Sequence, residues 1–350
     1  MNKVLFILKR REDFNPDKHT KLGLSTGLFN SATFVKNMLN DVEIEANLEV
    51  VIDNNDIDRE VTKYRPSHVI IEALWVVPSK FVILSKLHPN VTWIIRLHSE
   101  MPFLANEGMA LDWLGDYAAF PNIVIGVNAP RALEEVRFLL SYKMKWDEET
   151  LNKRVIYLPN FYPQEYLTKE YNTNKDYIDI GCFGAVRPLK NHVIQAIAAL
   201  KFATTIGKKL NFHINSGRVE MKGEPILNNL EGLFSHVADD DGHQLIRHEW
   251  TPREKFLKIC ASMDIGLQVS FSETFNIVGA DIISQGVPLV GSIEIPWADA
   301  DFCARATETQ EIYEMLLKTH NSAKLNVDNQ QKLLTEYTSK TREIWKEYFS

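Results

Sequence analysis

The segment SFSETFNIVGADIISQGVPLV, residues 270–290, decides the fold. An apolar strand candidate, residues 265–269, precedes it, and a predicted helix within it leads to a second apolar run, residues 287–290. The order strand, acidic loop, helix, strand is typical of a βαβ unit in a parallel sheet. In such a unit the loop after the first strand lies at the carboxyl edge of the sheet, where helix N-termini offer unpaired N–H groups to anions. The segment therefore predicts a phosphate-binding edge in an α/β domain.

Two acidic residues of this segment are candidates for ligand binding. Glu273 falls in the loop, and Asp281 follows eight residues later on the helix, about two turns along, so both carboxylates could reach one elongated ligand. Carboxylates accept hydrogen bonds from neighbouring hydroxyls, as on sugar and ribose rings. The residues expected to bind the same ligand at the helix start are Thr274, Asn276, Ile277 and Val278. The alternative is an ordinary loop with two surface acids.

The spacing of these acids carries a family resemblance. Glu273, seven intervening residues, Asp281 and then Gly286-x-Pro288 resemble the Glu-x7-Glu signature of retaining GT-B glycosyltransferases of the group 1, family 4-like type. The resemblance implies that Glu273 contacts hydroxyls of the donor sugar and that Asp281 holds the nucleotide ribose. This sequence has Asp where the family has the second Glu, which shortens the reach by one methylene.

The length of the chain and its alternating pattern agree with two domains. A chain of 350 residues is long for one core. The predicted strands of the first half span residues 4–8, 48–52, 68–71, 91–96, 123–127 and 155–158, and the predicted helices span 31–39, 78–87, 111–117 and 131–140. Alternation resumes after residue 175 with strands at 177–183, 210–214 and 244–248 and a helix at 193–204. Such alternation predicts parallel sheets covered by helices.

The domain boundaries follow from a lapse in this pattern. Apolar periodicity is lost between residues 159 and 175, the best linker candidate. We therefore expect an N-terminal Rossmann-like acceptor-side domain at 1–165, a C-terminal Rossmann-like nucleotide-sugar-binding domain at 166–330, and a C-terminal helix at 331–350 that packs back on the first domain. Two tandem Rossmann-like domains with an interdomain cleft form the GT-B architecture, the α/β fold that the resemblance implies.

A second cluster, GCFGAVRPLKNH at residues 181–192, closes the first strand of the second domain. Arg187 offers a planar fork and Lys190 a point charge, both suited to a diphosphate leaving group. Similar enzymes carry a Gly-Arg pair with a Lys six residues after the Gly. Gly184 and Lys190 fit that spacing, whereas Ala185 occupies the usual Arg position, so Arg187 would have to substitute. A basic helix start on the surface is the alternative.

Three features of the first half are weaker candidates. His98 follows a strand and resembles the histidine that these enzymes place beside the donor sugar; a structural hydrogen-bonding role is the alternative. Gly23, in GLSTG at 23–27, looks like the glycine-bearing loop near the donor phosphates, or a simple turn and cap. The Lys9–Lys21 loop carries excess cations and hints at an anionic acceptor, nucleic acid or a phosphorylated glycan; a solvated charge run is the alternative.

Composition narrows the class of protein. The net charge of −7 argues against a generally basic nucleic-acid or membrane binder. No apolar stretch approaches membrane-spanning length and no signal-peptide pattern follows Met1, which predicts a cytoplasmic protein. The three cysteines lack metal-ligand spacing and are expected to be reduced thiols. The acidic run 239–241 is interpreted as a surface turn, not a metal site, and Thr251 is predicted to cap a helix with Pro252 at its first position.

The resemblance implies a metal-independent retaining glycosyltransferase that needs no cofactor beyond its nucleoside-diphosphate-sugar donor. The acceptor stays open between a glycan or small molecule and the hydroxymethylated pyrimidines of DNA. A non-catalytic sugar-nucleotide-binding protein would present the same site. A dinucleotide-dependent oxidoreductase is disfavoured, because no Gly-x-Gly-x-x-Gly follows the first strand.

Overall fold

The computed structural model describes residues 2–10, 27–171 and 174–350, with the backbone alone for 237–241. The chain divides into two compact units, Met1–Pro163 with Thr338–Ser350, and Gln164–Tyr337. Each unit contains a six-stranded sheet in which every described strand pair is parallel. The predicted α/β class with two Rossmann-like domains is therefore confirmed.

The first unit contains strands β1 (Lys3–Lys9), β2 (Glu45–Val51), β3 (His68–Glu72), β4 (Thr92–Leu97), β5 (Ile123–Val127) and β6 (Val155–Tyr157). Its helices are α1 (Gly27–Asp41), α2 (Ile57–Tyr64), α3 (Phe81–Leu87), α4 (Met101–Leu104), α5 (Ala110–Ala118), α6 (Pro130–Met144) and α7 (Glu148–Arg154). The strand order is β2-β1-β3-β4-β5-β6. Successive residues of β4 show how the sheet is covered: Trp93 and Ile95 enter one apolar cluster and Ile94 enters another, because side chains alternate between the faces.

The second unit contains β7 (Tyr177–Val186), β8 (Lys209–Val219), β9 (Gln244–His248), β10 (Ile265–Gln268), β11 (Leu289–Ser292) and β12 (Cys303–Ala304), in the order β12-β11-β10-β7-β8-β9. Its helices are α8 (His192–Thr205), α9 (Glu224–Asp241), α10 (Arg253–Ser262), α11 (Ile277–Ser284) and α12 (Thr309–Asn321), and α13 (Ala323–Phe349) ends in the residues assigned to the first unit. In that unit, Trp345 is buried against Phe6 and donates its indole N–H to the carbonyl of Pro159 at 2.8 Å.

Two local expectations are wrong. The backbone of residues 239–241 belongs to the end of α9 and not to a turn. The N-cap of α10 is Pro252, without a side-chain cap, and the hydroxyl of Thr251 is buried with no partner among the described residues. The capping pattern was therefore assigned one position too early. In the described part of the chain, no helix has both the length and the apolar character that crossing a bilayer requires.

Candidate functional site

The strand order of the second sheet determines which loops are neighbours at its carboxyl edge. From β7 the chain moves outward through β8 and β9, and then returns to place β10 on the other side of β7, where Ile180 is aligned with Ile265. The loops after β7 and β10 therefore diverge from a topological switch point, the position where open α/β sheets bind ligands. Of the two sequence clusters, 181–192 contains the end of β7 and the segment after it, and 270–290 follows β10.

Lys190 and Glu273 come together at this edge. The Lys190 Nζ lies 2.5 Å from Oε1 of Glu273, although the residues are 83 positions apart in sequence. Their side chains are only 10% and 8% exposed. The same Glu273 oxygen accepts a hydrogen bond from Nδ2 of Asn276 at 3.1 Å. A poorly solvated cation and carboxylate therefore share one small region at the switch point.

A set of amide hydrogen bonds holds the two loops together. The side chain of Asn191 donates to the carbonyls of Val269 (3.0 Å) and Ala306 (2.8 Å). Gln195 accepts from the N–H of Val269 at 2.7 Å and donates to the carbonyl of Lys190 at 2.8 Å. Both amide side chains are buried. Because the loops are fixed to each other through buried bonds, Lys190 and Glu273 are positioned before any ligand arrives.

The start of α11 is built around Asn276. This residue adopts a left-handed conformation, with φ 58°, and its Oδ1 accepts the N–H of Gly279 at 2.7 Å as an N-cap. Ile277 and Val278 supply the first two N–H groups of the helix, which have no intrahelical acceptor by geometry. Thr274 lies in the loop between Glu273 and the cap. The predicted binding residues of the helix start thus surround one N-terminus, which carries a partial positive charge.

Asp281 lies one turn further into α11 and is buried. Its Oδ1 accepts a hydrogen bond from Nη2 of Arg253, on α10, at 2.8 Å. Arg253 itself is partly exposed. The carboxylate predicted to hold the ribose is therefore already engaged by a guanidinium that the sequence did not single out.

Gly184 lies near the end of β7, and Arg187 directly follows that strand. Gly184 has φ +114°, and a side chain added there would approach Cε of Lys190 at 3.8 Å, so a glycine is favoured by the backbone rather than by space. Arg187 is extended, and its Nη1 lies 4.0 Å from Oε2 of Glu220. Glu220 also pairs with Arg218 at 2.5 Å. Arg187 thus has an acid nearby, and its role toward a diphosphate stays a prediction.

One buried residue beside Lys190 was missed. His192 begins α8 and is 1% exposed, and neither ring nitrogen has a hydrogen-bond partner among the described residues. Burial, with the nearby charges of Lys190 and Arg187, lowers the pKa of His192 to about 3. The ring is therefore neutral at pH 7. The sequence shows His192 only as a polar residue in the first turn of a predicted helix, and the structure shows that this turn is buried.

In the first unit, His98 lies just after β4 and contacts a buried ion pair. Its Nε2 hydrogen-bonds Oε2 of Glu72, the last residue of β3. Glu72 also accepts from Nη1 of Arg96 at 3.1 Å, and both members of that pair are fully buried. An ionised carboxylate can only accept a hydrogen bond, so the proton between His98 and Glu72 is on Nε2 of the histidine. Asn128 approaches the other ring nitrogen at 3.4 Å.

The protonation of this group follows from its surroundings. Burial raises the pKa of the Glu72 carboxyl, but the charge of Arg96 and the His98 hydrogen bond outweigh it and hold the pKa below its ordinary value. Burial lowers the pKa of His98. At neutral pH the group therefore contains an ionised carboxylate, a guanidinium and a neutral imidazole. Sequence reasoning missed Glu72, although an acid at the carboxyl end of a buried strand is a usable signal.

The remaining predicted features fall outside what the structure describes. Gly23 and most of the Lys9–Lys21 loop lie in residues 11–26, beyond the described ranges. No group of three or more His, Cys, Asp or Glu side chains in the described part of the chain is placed to hold a metal ion. The cysteine thiols are free, with Cys182 and Cys260 buried.

Comparisons with solved structures identify the fold. The chain resembles the HepE protein of Anabaena, solved in complex with UDP, at 11% identity and a TM-score of 0.65, with 99% of each chain covered. It resembles the E. coli trehalose-6-phosphate protein bound with UDP-2-fluoro glucose at 11% identity and a TM-score of 0.69, covering 99% of this chain and 98% of that one. An α,α-trehalose-phosphate synthase (UDP-forming) from Burkholderia vietnamiensis gives 9% identity and a TM-score of 0.68, covering 100% and 96%.

No family model and no curated protein matches the sequence. At the identities of the solved structures, the likeness establishes a fold rather than an activity. The chain therefore has the GT-B fold that its acidic signature predicts.

Proposed function

We propose that this protein is a glycosyltransferase that moves a sugar from a nucleoside-diphosphate sugar to an acceptor hydroxyl, with retention and without a metal. The observation that carries the proposal is the 2.5 Å contact between Lys190 and Glu273 at the switch point of the second sheet. The fold supports it, because the similar HepE and trehalose-6-phosphate structures contain UDP or UDP-2-fluoro glucose.

The charges around the contact fit a diphosphate and a sugar. Lys190 has three N–H donors, so Nζ can keep Glu273 and still donate to a phosphate oxygen. The N–H groups of Ile277 and Val278 at the start of α11 add neutral donors and a favourable dipole. Glu273 keeps a second oxygen, Oε2, for sugar hydroxyls. In a region of low solvation these fixed donors stabilise the negative charge that develops on the leaving diphosphate.

The ribose is assigned to Asp281 and its partner Arg253. The guanidinium holds the shorter Asp side chain in one orientation through the bond from Nη2, which offsets the flexibility of a free carboxylate. A ribose hydroxyl would donate to the Asp281 carboxylate. Arg187 has five N–H donors, so it can donate to the diphosphate while its Nη1 stays 4.0 Å from Glu220. We rank Lys190 above Arg187 as the phosphate-binding cation because Lys190 contacts Glu273 at the switch point.

Retention follows from attack on the same face of the sugar. The acceptor oxygen forms its bond to the anomeric carbon while the bond from that carbon to the β-phosphate oxygen breaks. The acceptor proton passes to the departing phosphate, so no protein nucleophile is required. His98 is ranked below Lys190 and Glu273 as a ligand-binding residue, because its Nε2 bonds Glu72 and Asn128 approaches its Nδ1.

The test begins with binding and ends with turnover. Titration of the protein with UDP, ADP and GDP should identify one nucleotide, and the matching nucleotide sugars should then be hydrolysed slowly without acceptor. Glu273→Gln should retain nucleotide binding and lose turnover. Undiminished sugar transfer by Glu273→Ala would rule out the assignment, and binding without any hydrolysis would indicate a non-catalytic sugar-nucleotide-binding protein.

A further inference from the structure

A row of three polar side chains, here called the histidine network, crosses one face of the second sheet. Asp179 lies on β7, His213 on β8 and His248 at the end of β9. Nε2 of His213 lies 3.1 Å from Oδ1 of Asp179, and its Nδ1 lies 2.9 Å from Nε2 of His248. His213 stands between Phe212 and Ile214, which enter the apolar core of the unit, so the network lies on the face opposite that core.

Asp179 fixes the direction of these hydrogen bonds. Burial raises the pKa of Asp179, but hydrogen bonds from His213, Asn211 and Lys175 outweigh it and lower the pKa to about 2. The ionised carboxylate therefore accepts a hydrogen bond from Nε2–H of His213. Nδ1 of the neutral His213 ring is then the acceptor for Nε2–H of His248. Both contacts are satisfied when both rings are neutral.

The network can take up one further proton but not two. With one added proton, His213 donates from both nitrogens and Nε2 of His248 accepts, so both contacts persist and the positive charge lies beside Asp179. With two added protons, both facing nitrogens carry hydrogen, and two like charges meet across 2.9 Å without an acceptor between them. The contact between the rings then breaks. Burial and, after it, the neighbouring His213 lower the pKa of His248, which agrees with this limit.

Other charged side chains adjoin the network. Lys175 lies 3.2 Å from Oδ2 of Asp179, the oxygen that the histidine does not use, and 3.0 Å from Asp264. Arg247 precedes the last histidine of the network in β9 but pairs with Glu231 of α9, on the opposite face of the sheet. Neither of these ion pairs supplies an acceptor to the two facing ring nitrogens, so the limit of one added proton holds.

The network also packs against the start of α10. The buried ring of Phe183 contacts His248 and Phe256 edge to face, with centroids 5.9 Å and 5.4 Å apart. Four residues separate His248 from Arg253, the first residue of α10. Arg253 in turn donates to Asp281 at 2.8 Å. Breaking the contact between the two histidines therefore removes a support of the helix turn that carries this arginine.

We propose that Asp179, His213 and His248 are positioning residues that make nucleotide binding sensitive to pH. While the two rings stay in contact, they hold Arg253 and, through it, the carboxylate of Asp281 in the binding geometry. The inference rests on the proposed function, since it concerns regulation of that site. Below about pH 6.5, the ordinary pKa of histidine, the separated rings bind one more proton than the paired rings, which favours separation by up to about tenfold per pH unit.

The test compares the binding of UDP, ADP and GDP at pH 7.5 and pH 5.5 by isothermal titration calorimetry. His248→Gln retains one donor and one acceptor for His213 but has no titratable ring. His248→Phe retains a ring and loses both hydrogen-bonding groups. His236→Gln, at an exposed position of α9, is the matched control. Because the diphosphate also titrates in this range, the quantity compared between proteins is the ratio of Kd at pH 5.5 to Kd at pH 7.5.

This ratio should be at least about threefold larger in the wild type and in His236→Gln than in His248→Gln, because the apparent affinity falls with the fraction of protein in the binding arrangement. At pH 7.5 His248→Gln should bind as the wild type does, and His248→Phe should bind more weakly. Equal ratios in the wild type and His248→Gln would overturn the inference and leave the proposed function standing. Absence of binding of all three nucleotides at pH 7.5 would contradict both.

The route through α10 is tested in an Arg253→Met background. If the histidine network acts through Arg253, adding His248→Gln to this variant should leave the ratio unchanged within about twofold. A difference as large as in the wild-type background would show that the network does not act by positioning Arg253, and would overturn that assignment. The background variant itself should bind nucleotide more weakly at both pH values, since Asp281 loses its guanidinium partner.

Discussion

Each unit places a cation and a carboxylate at the carboxyl edge of its sheet, but the two pairs differ in how they are held. Arg96 and Glu72 project from neighbouring strands and are fully buried. Lys190 and Glu273 project from the segments that follow β7 and β10, and each keeps some exposure. Arg96 makes further bonds to two carbonyls and to Asn160 at 2.7 Å. No other hydrogen bond of the Lys190 Nζ is found in the described part of the chain.

This difference separates a positioning pair from a binding pair. A guanidinium whose donors are taken by backbone and side-chain oxygens has little left for a ligand, so Arg96 fixes Glu72 and, through it, His98. A lysine with one carboxylate partner retains donors and can add a phosphate at low reorganisation cost. The two ion pairs thus carry the same formal charges but have different roles, because they differ in burial and in the number of other hydrogen bonds that the cation makes.

The largest expected effect is on folding of the first unit. Arg96→Met removes the only cation paired with buried Glu72 in the described structure, and breaking such a pair costs about 3–5 kcal/mol. Urea unfolding followed by tryptophan fluorescence measures the loss. Arg59→Met, at an exposed ion pair, is the control and should change stability little. An Arg96→Met protein as stable as the control would mean that the pair is not structural.

The second effect is on turnover in the second unit. Lys190→Met should lower the rate of nucleotide release from the donor by about 10²–10³-fold, the effect of removing one preorganised donor. Stability should fall less than in Arg96→Met, since Glu273 keeps its bond from Asn276 and some solvent. Lys255→Met, exposed on α10, is the control. Equal turnover in the two variants would contradict the role given to Lys190.

The two histidines allow a test by pH. His98 has hydrogen-bond partners, whereas His192 has none among the described residues. The pKa of His192 falls from 6.5 to about 3 on folding, so below pH 6.5 the unfolded chain binds a proton that the folded chain does not. The stability contributed by neutral His192 is present above pH 6.5 and is lost as pH falls towards 3, by at most about 1.4 kcal/mol per pH unit.

His192→Leu should therefore flatten the acid limb of a stability profile measured by urea unfolding between pH 7 and 4, the region below the ordinary pKa. It should also leave stability at pH 7 unchanged or higher, because two unpaired nitrogens are removed. His236→Gln, at an exposed position, supplies the control profile. Parallel acid limbs for His192→Leu and wild type would show that the ring is solvated or paired in solution.

The smallest expected effect concerns the loop that holds Glu273. Asn276→Ala removes the N-cap of α11 and the amide bond to Glu273, at a cost of about 1 kcal/mol for the cap. Asn276→Ser retains a capping oxygen and should recover most of the stability. Thermal unfolding compares the two variants. If Ser and Ala were equally destabilising, the lost contribution would lie in the bond to Glu273 or in the left-handed backbone of Asn276, and not in the cap.

Much of the fold was readable from periodicity. The predicted strands at 68–71, 123–127 and 244–248 coincide within a residue with β3, β5 and β9. β3 and β5 are short runs rich in apolar, mostly β-branched residues, which favour strands. Helix α2 was missed. It is eight residues long and buries only Ile57, Glu60 and Val61, too few for a clear helical period.

The sequence by itself determined the parallel α/β class, the two sheets and the acidic signature after β10, since these depend on local order and spacing. The tertiary structure alone decided that Lys190 contacts Glu273, that Arg253 donates to Asp281, and that Glu72 hydrogen-bonds His98. Each of those pairs joins residues at least 26 positions apart, and their meeting depends on strand order. Strand order is set by how helices cover the sheet as a whole, which no local pattern of residues encodes.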